Sequence, residues 1–162
     1  MKSLEFRRGV WRGLMADLHR RGGGQRESGA FLLGHVTDAA KVVEQWLPYE
    51  ELDPEALNFE YVRLGTSAFP KLWEECAARR LEVVADVHTH PMGPGQSRSD
   101  RANPMISLAG HLALIVPWFA RGKLQPVDVS VNVYLGGGAW KSHFRRDAAA
   151  LINLLEEEAN GR

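Results

Sequence analysis

The chain has 162 residues, 44% hydrophobic and 25% charged, enough for one globular α/β domain with a real core. Twenty basic and twenty acidic residues cancel, which argues against nucleic acid or an anionic membrane surface as a partner. The single cysteine, Cys76, excludes an internal disulfide and a four-cysteine metal site.

The sequence shows no apolar run long enough to cross a bilayer and no signal-peptide core, so a cytoplasmic protein is expected. Val10, Trp11, Leu14 and Leu18 recur at helical spacing, which predicts a helix over about 7–21, stopped by Gly22-Gly23-Gly24. An apolar strand runs from Ala30 to about Val36, turns at Asp38-Ala39 and returns through 41–47. Residues 48–58 read as a surface loop, with a short strand at 59–62. A second helix is expected over 66–80, with Phe69, Leu72, Trp73 and Cys76 on one face and Pro70 in its first turn.

Residues 81–88 form the best strand in the chain, followed by a Gly- and Pro-rich loop over 91–96. A helix is expected near Ser99, restarting at Asn103 because Pro104 cannot continue it. Further strands are read at 111–116, 127–135 and 139–144, and a closing helix over 145–158 with Ala148, Leu151, Ile152 and Leu155 inward. The order predicts a mixed sheet flanked by helices, one domain over 1–162.

The chemistry concentrates at His88-Thr89-His90-Pro91, with Ser97 and Asp100 beyond. Two imidazoles two residues apart in a strand point to the same side of it. A carboxylate that swings back completes a three-ligand face and leaves a fourth position open on a tetrahedral metal, the mark of a catalytic zinc site. Water there would have its pKa lowered towards neutrality. A general base is then needed, and Glu27, just ahead of the first apolar strand, is the candidate if that strand pairs with the end of the histidine strand. Ser97 could donate to the developing oxyanion. Asp100 could also serve a helix start, which would fix its direction.

His111 could reach the outer shell of a metal but reads as structural, and His19, His35 and His143 read as scaffold or surface. Trp46, Trp73, Trp118 and Trp140 read as core or rim packing, and Trp118-Phe119 as an exposed pair suited to docking.

These residues resemble the JAMM motif of the JAB/MPN metalloproteases: a glutamate ahead of a strand, His-x-His-Pro, then Ser-x-x-Asp. Here it reads Glu27, His88-Thr89-His90-Pro91 and Ser97-Arg98-Ser99-Asp100. The resemblance spans nearly the whole chain and implies an MPN, cytidine-deaminase-like domain. It implies a single zinc ion on His88, His90 and Asp100, Glu27 as base, and Ser97 assisting the transition state. It also implies cleavage after the C-terminal tail of a ubiquitin-like protein, in bacteria often beside E1- or E2-like conjugation enzymes and sometimes in antiphage defence. The gap from His90 to Ser97 is six residues, Pro91 to Gln96, one shorter than is commonest in the family. The alternative is a catalytically silent MPN scaffold that binds a ubiquitin-like protein or a conjugation enzyme. A cupin lacks its further ligands here, and an amidohydrolase barrel needs a longer chain.

Overall fold

A computed structural model describes residues 1–57 and 63–157. Leu4 and Phe6 alternate with less buried neighbours and are fully buried, which makes β1 (Ser3–Arg7) a strand with one face in the core. The chain passes directly into α1 (Arg8–Gly22), whose Trp11, Leu14, Met15 and Leu18 form one buried stripe. Gly23 ends this helix in the left-handed conformation (φ 61°), its amide donating to the carbonyls of His19 and Arg20.

β2 (Gly29–Val36) and β3 (Ala40–Pro48) form a hairpin, its turn held by Thr37 Oγ1 accepting from the Ala40 amide at 3.0 Å. The remaining elements are α2 (Tyr49–Leu52), α3 (Ala68–Arg79), β4 (Glu82–Thr89), α4 (Arg98–Ala102), β5 (Leu112–Val116), β6 (Ser130–Gly136), β7 (Ala139–His143), α5 (Arg145–Ala149) and β8 (Ile152–Leu155).

Among the described residues the strands form a single mixed sheet in the order β7-β6-β5-β4-β2-β3-β1-β8. β4 runs antiparallel to β2 and parallel to β5, so it is held on both sides deep within the sheet. α1 covers one face, packing Leu14 and Leu18 with Phe6, Leu32, Val87 and Leu114. Asp17 ties this helix down, accepting from Trp46 Nε1 of β3 at 2.9 Å. On the opposite face α3 contributes Leu72 and Cys76 to a second core with Phe31, Leu33, Leu47 and Tyr49. Burying a leucine such as Leu14 or Leu72 contributes about 1.5–3 kcal/mol. A cleft opens beside this second core, with Phe69 and Leu64, Met105 and Trp140 around a floor from β4 and β5.

Several expectations are corrected. The helix read over 145–158 ends at Ala149, and Ile152–Leu155 is a strand that pairs in parallel with β1, itself not anticipated. Ala148 and Ile152 are buried as expected, whereas Leu155 is exposed. The loop expected over 48–58 begins with a helical turn, and the strand expected at 59–62 lies outside the described residues. The last long strand starts at Ser130 because Pro126–Asp128 forms a 3-10 turn. No helix restarts at Asn103; its Nδ2 instead donates to the Ser99 carbonyl at 3.0 Å and closes α4. Trp73 is half exposed rather than buried with Leu72.

At Gly29 β2 lies tight against β4 and Tyr49. A β-carbon there would stand 2.5 Å from Tyr49 Cε2 and 2.7 Å from the Val87 carbonyl oxygen. Gly29→Ala should therefore cost about 1–3 kcal/mol, read as a lower midpoint in chemical denaturation; an unchanged midpoint would show that β2 shifts freely against β4.

Candidate metal centre

The centre begins with the side-chain alternation of β4. Thr89 points to the α1 face and is fully buried, so His88 and His90 emerge together on the other face. Thr89 Oγ1 accepts from the Ser28 amide at 2.9 Å, and the Thr89 amide donates to the Ser28 carbonyl at 2.9 Å. Ser28 Oγ donates to the Leu18 carbonyl at 2.7 Å, which anchors the segment to α1 as well. Gly29 sits opposite His88 in the antiparallel register. Glu27 is thereby carried to the histidines, its Oε1 3.6 Å from His90 Nε2.

Asp100 arrives from the other side, on α4. Ser97 caps that helix: its Oγ accepts from the Asp100 amide at 3.0 Å, and its own amide donates to Asp100 Oδ2 at 2.8 Å. This reciprocal box aims the carboxylate at the imidazoles. His88 Nε2 is 3.2 Å from Asp100 Oδ1, His90 Nε2 is 3.0 Å from Oδ2, and the two Nε2 atoms are 3.0 Å apart. Metal–ligand bonds of 2.0–2.1 Å at tetrahedral angles place neighbouring donors about 3.3 Å apart. The two imidazole nitrogens and the Asp100 oxygens, one oxygen facing each imidazole, meet that spacing to within a few tenths of an ångström, so these residues fit a divalent metal ion. Glu27, His88 and His90 also form a group whose donors lie within 4.8 Å of one another. Asp100 is the closer carboxylate to the pair and leaves Glu27 alongside.

The electrostatics separate the two carboxylates. Burial raises the Glu27 carboxyl above its ordinary value, against the pull of His88 and His90. Burial acts the same way on Asp100, but hydrogen bonds from His88 and His90, the charge of His88 and the Ser97 amide outweigh it and hold Asp100 well below the usual range. Burial would lower the His88 imidazole, yet Asp100, Asp86 and Glu27 together raise it.

The backbone after His90 is clamped. Trp118, Phe119 and Ala120 form a left-handed turn (φ 54°, 50° and 59°), which costs about 1–2 kcal/mol per residue. Its amides reach back to the loop, Phe119 to the His90 carbonyl at 2.8 Å and Trp118 to that of Met92 at 3.0 Å. His19 Nδ1 meets the Phe119 carbonyl at 2.9 Å, a partner the sequence did not reveal. Trp118 is half exposed, and Trp140 rims the cleft with its indole donating to the Arg101 carbonyl at 3.0 Å.

His111 does not approach the imidazole pair directly; its Nε2 bonds Asp86 Oδ2 at 2.7 Å in a buried contact. Asp86, missed in the sequence, lines the cleft two residues ahead of His88. Tyr49 is fully buried, its hydroxyl has no partner among the described residues, and burial with nearby Asp86 and Asp100 pushes its phenol well above 10.

A family model of prokaryotic homologues of the JAB domain matches residues 9–133. A solution structure of a Desulfitobacterium hafniense protein is similar at 15% identity, covering 95% of this chain and 94% of that one with a TM-score of 0.66. A solution structure of a Salinibacter ruber protein is similar at 19% identity, covering 100% and 95% with a TM-score of 0.56. Those two likenesses concern the fold alone, a mixed sheet flanked by helices. The chain belongs to the prokaryotic JAB-domain homologues. No helix among the described residues is long and apolar enough to cross a membrane.

Two outcomes test the centre. Elemental analysis of His88→Ala and Asp100→Ala should show strongly reduced divalent metal against wild type; full occupancy in both would overturn this donor set. The raised His88 imidazole predicts opposite pH trends with and without metal. In metal-free protein its stabilising contribution is complete below the ordinary imidazole value of 6.5 and is lost as pH rises through the higher folded value. Metal-loaded protein should instead gain stability over that range, because ligand imidazoles must be deprotonated. Thermal melts at several pH values, with and without chelator, check both signs.

Proposed function

We propose that the protein is a cytoplasmic zinc-dependent isopeptidase or peptidase that cleaves after the C-terminal tail of a ubiquitin-like protein. The observation that carries this reading is the convergence of His88, His90 and Asp100 at metal-ligand spacing with Glu27 beside them. When bound by those three residues, zinc supplies Lewis acidity that acidifies water and polarises a carbonyl.

Glu27 removes a proton from the attacking water and returns it to the leaving amine as the amide bond breaks. Its burial suits this role, since a carboxyl raised above its ordinary value is a stronger base for the water's proton. The Ser97 oxygen is engaged with the Asp100 amide, which leaves its hydroxyl proton to donate to the oxyanion. β7 is an edge of the sheet and its Trp140 lines the cleft, so an extended tail can add there by main-chain hydrogen bonds. The likeness of Glu27, His88-Thr89-His90-Pro91 and Ser97-Arg98-Ser99-Asp100 to the JAMM motif extends the proposal to E1- or E2-like conjugation enzymes as partners and antiphage defence as one setting.

The test uses a bacterial ubiquitin-like protein fused to a short C-terminal extension. Wild-type protein with zinc should cleave it and stop on chelation. Glu27→Gln should lose about 10²–10⁴-fold in rate with its zinc retained. An active Glu27→Gln protein would remove Glu27 as base. A wild-type protein that binds zinc and the ubiquitin-like partner yet never cleaves would instead make the chain a binding scaffold.

A further inference from the structure

The cleft continues past the metal centre to a carboxylate that the proposed chemistry does not use. Asp86 is only 2% exposed, yet it lines the cleft. His111 donates to Oδ2 at 2.7 Å and fixes the carboxylate, and no described residue donates to the other oxygen. Gln96 lines the same cleft, and its Oε1 is buried without a partner among the described residues. Gln96 Oε1 is thus a buried acceptor without a donor in the same cleft as the Asp86 oxygen that no described residue engages, and leaving a buried acceptor unpaired is costly. Asp86 also adds negative charge to a lining whose one arginine or lysine, among the described residues, is Arg63.

The walls leading to Asp86 are apolar: Phe69, Met105, Ala113 and Ile115. An aliphatic stem that ends in a cation matches this sequence of surfaces, because the stem packs on the walls while the head donates at the floor. Asp86 precedes His88 by two strand residues, so the two positions are about 7 Å apart. The cation recognised at Asp86 is therefore not the nitrogen at the metal centre.

We propose that Asp86, held by His111, forms a specificity subsite for a second, basic side chain of the substrate, lysine or arginine, beside the bond that is cut. This subsite rests on the reading of the cleft as a substrate cleft, but its ligand can be tested without turnover. The probes are the Nα-acetyl amides of lysine, arginine and norleucine, the last keeping the stem without the charge. Binding to zinc-loaded wild-type protein is followed by NMR titration.

The lysine or arginine amide should bind about tenfold more tightly than the norleucine amide, with the largest shifts at Ala113 and Ile115. Asp86→Asn should remove that preference while its zinc content stays that of wild type. Equal binding of norleucine and both basic amides to wild-type protein overturns the subsite and needs no variant. A preference that survives in folded Asp86→Asn overturns it too. A charge preference in protein that never hydrolyses a ubiquitin-like fusion retains the subsite and rejects the peptidase reading. Hydrolysis without any charge preference does the reverse.

Discussion

The reciprocal bonding of Ser28 with Thr89 is the constraint from which the centre follows. It joins the residue after Glu27 to the residue between the two histidines, on the face away from the cleft. One contact therefore sets the strand register, the direction of both imidazoles and the position of the nearby carboxylate. It is buried under α1, where the Leu18 carbonyl takes the Ser28 hydroxyl, so water does not compete for it. A slip of one residue between β2 and β4 would turn the histidines into the α1 core.

The two carboxylates at the centre are chemically alike and differ through their surroundings. Asp100 has an amide from Ser97 and two imidazoles, and these hold it anionic in spite of burial. Glu27 has burial and no hydrogen bond from those groups, which leaves it the more readily protonated of the two. Environments that push two acids apart divide the work between permanent charge and proton transfer. The capping role of Ser97 explains why serine and aspartate stand three residues apart: one pair of contacts starts a helix and orients an acid.

Most of this centre was legible because its signals are local or nearly so. The spacing of His88 and His90 in an apolar strand gives their common side, and Asp100 near Ser99 reads as a helix start, whereas the capping role of Ser97 emerges only in the structure. α1 and α3 follow from apolar stripes. Other features depend on partners far along the chain. β1 offers only Leu4 and Phe6 as apolar inward residues and leads into a helix without a turn. The segment after Arg145 has helical spacing, but β1 offers a parallel edge that takes Ile152–Leu155 as a strand. Asp86 and His111 lie 25 residues apart and meet only because β4 and β5 are neighbours, which no local pattern encodes.

The imidazoles are built on a strand held from both sides, whereas Asp100 follows a tether of six residues, Pro91 to Gln96, pinned only at Met92 by Trp118 and at Pro94 by Ser130 among the described residues. The tether sets the effective concentration of the third donor around the other two. Loop-closure entropy grows only logarithmically, and doubling such a segment costs about 0.6 kcal/mol. The rim of the cleft can thus change in length and composition while the grip on a cation barely weakens.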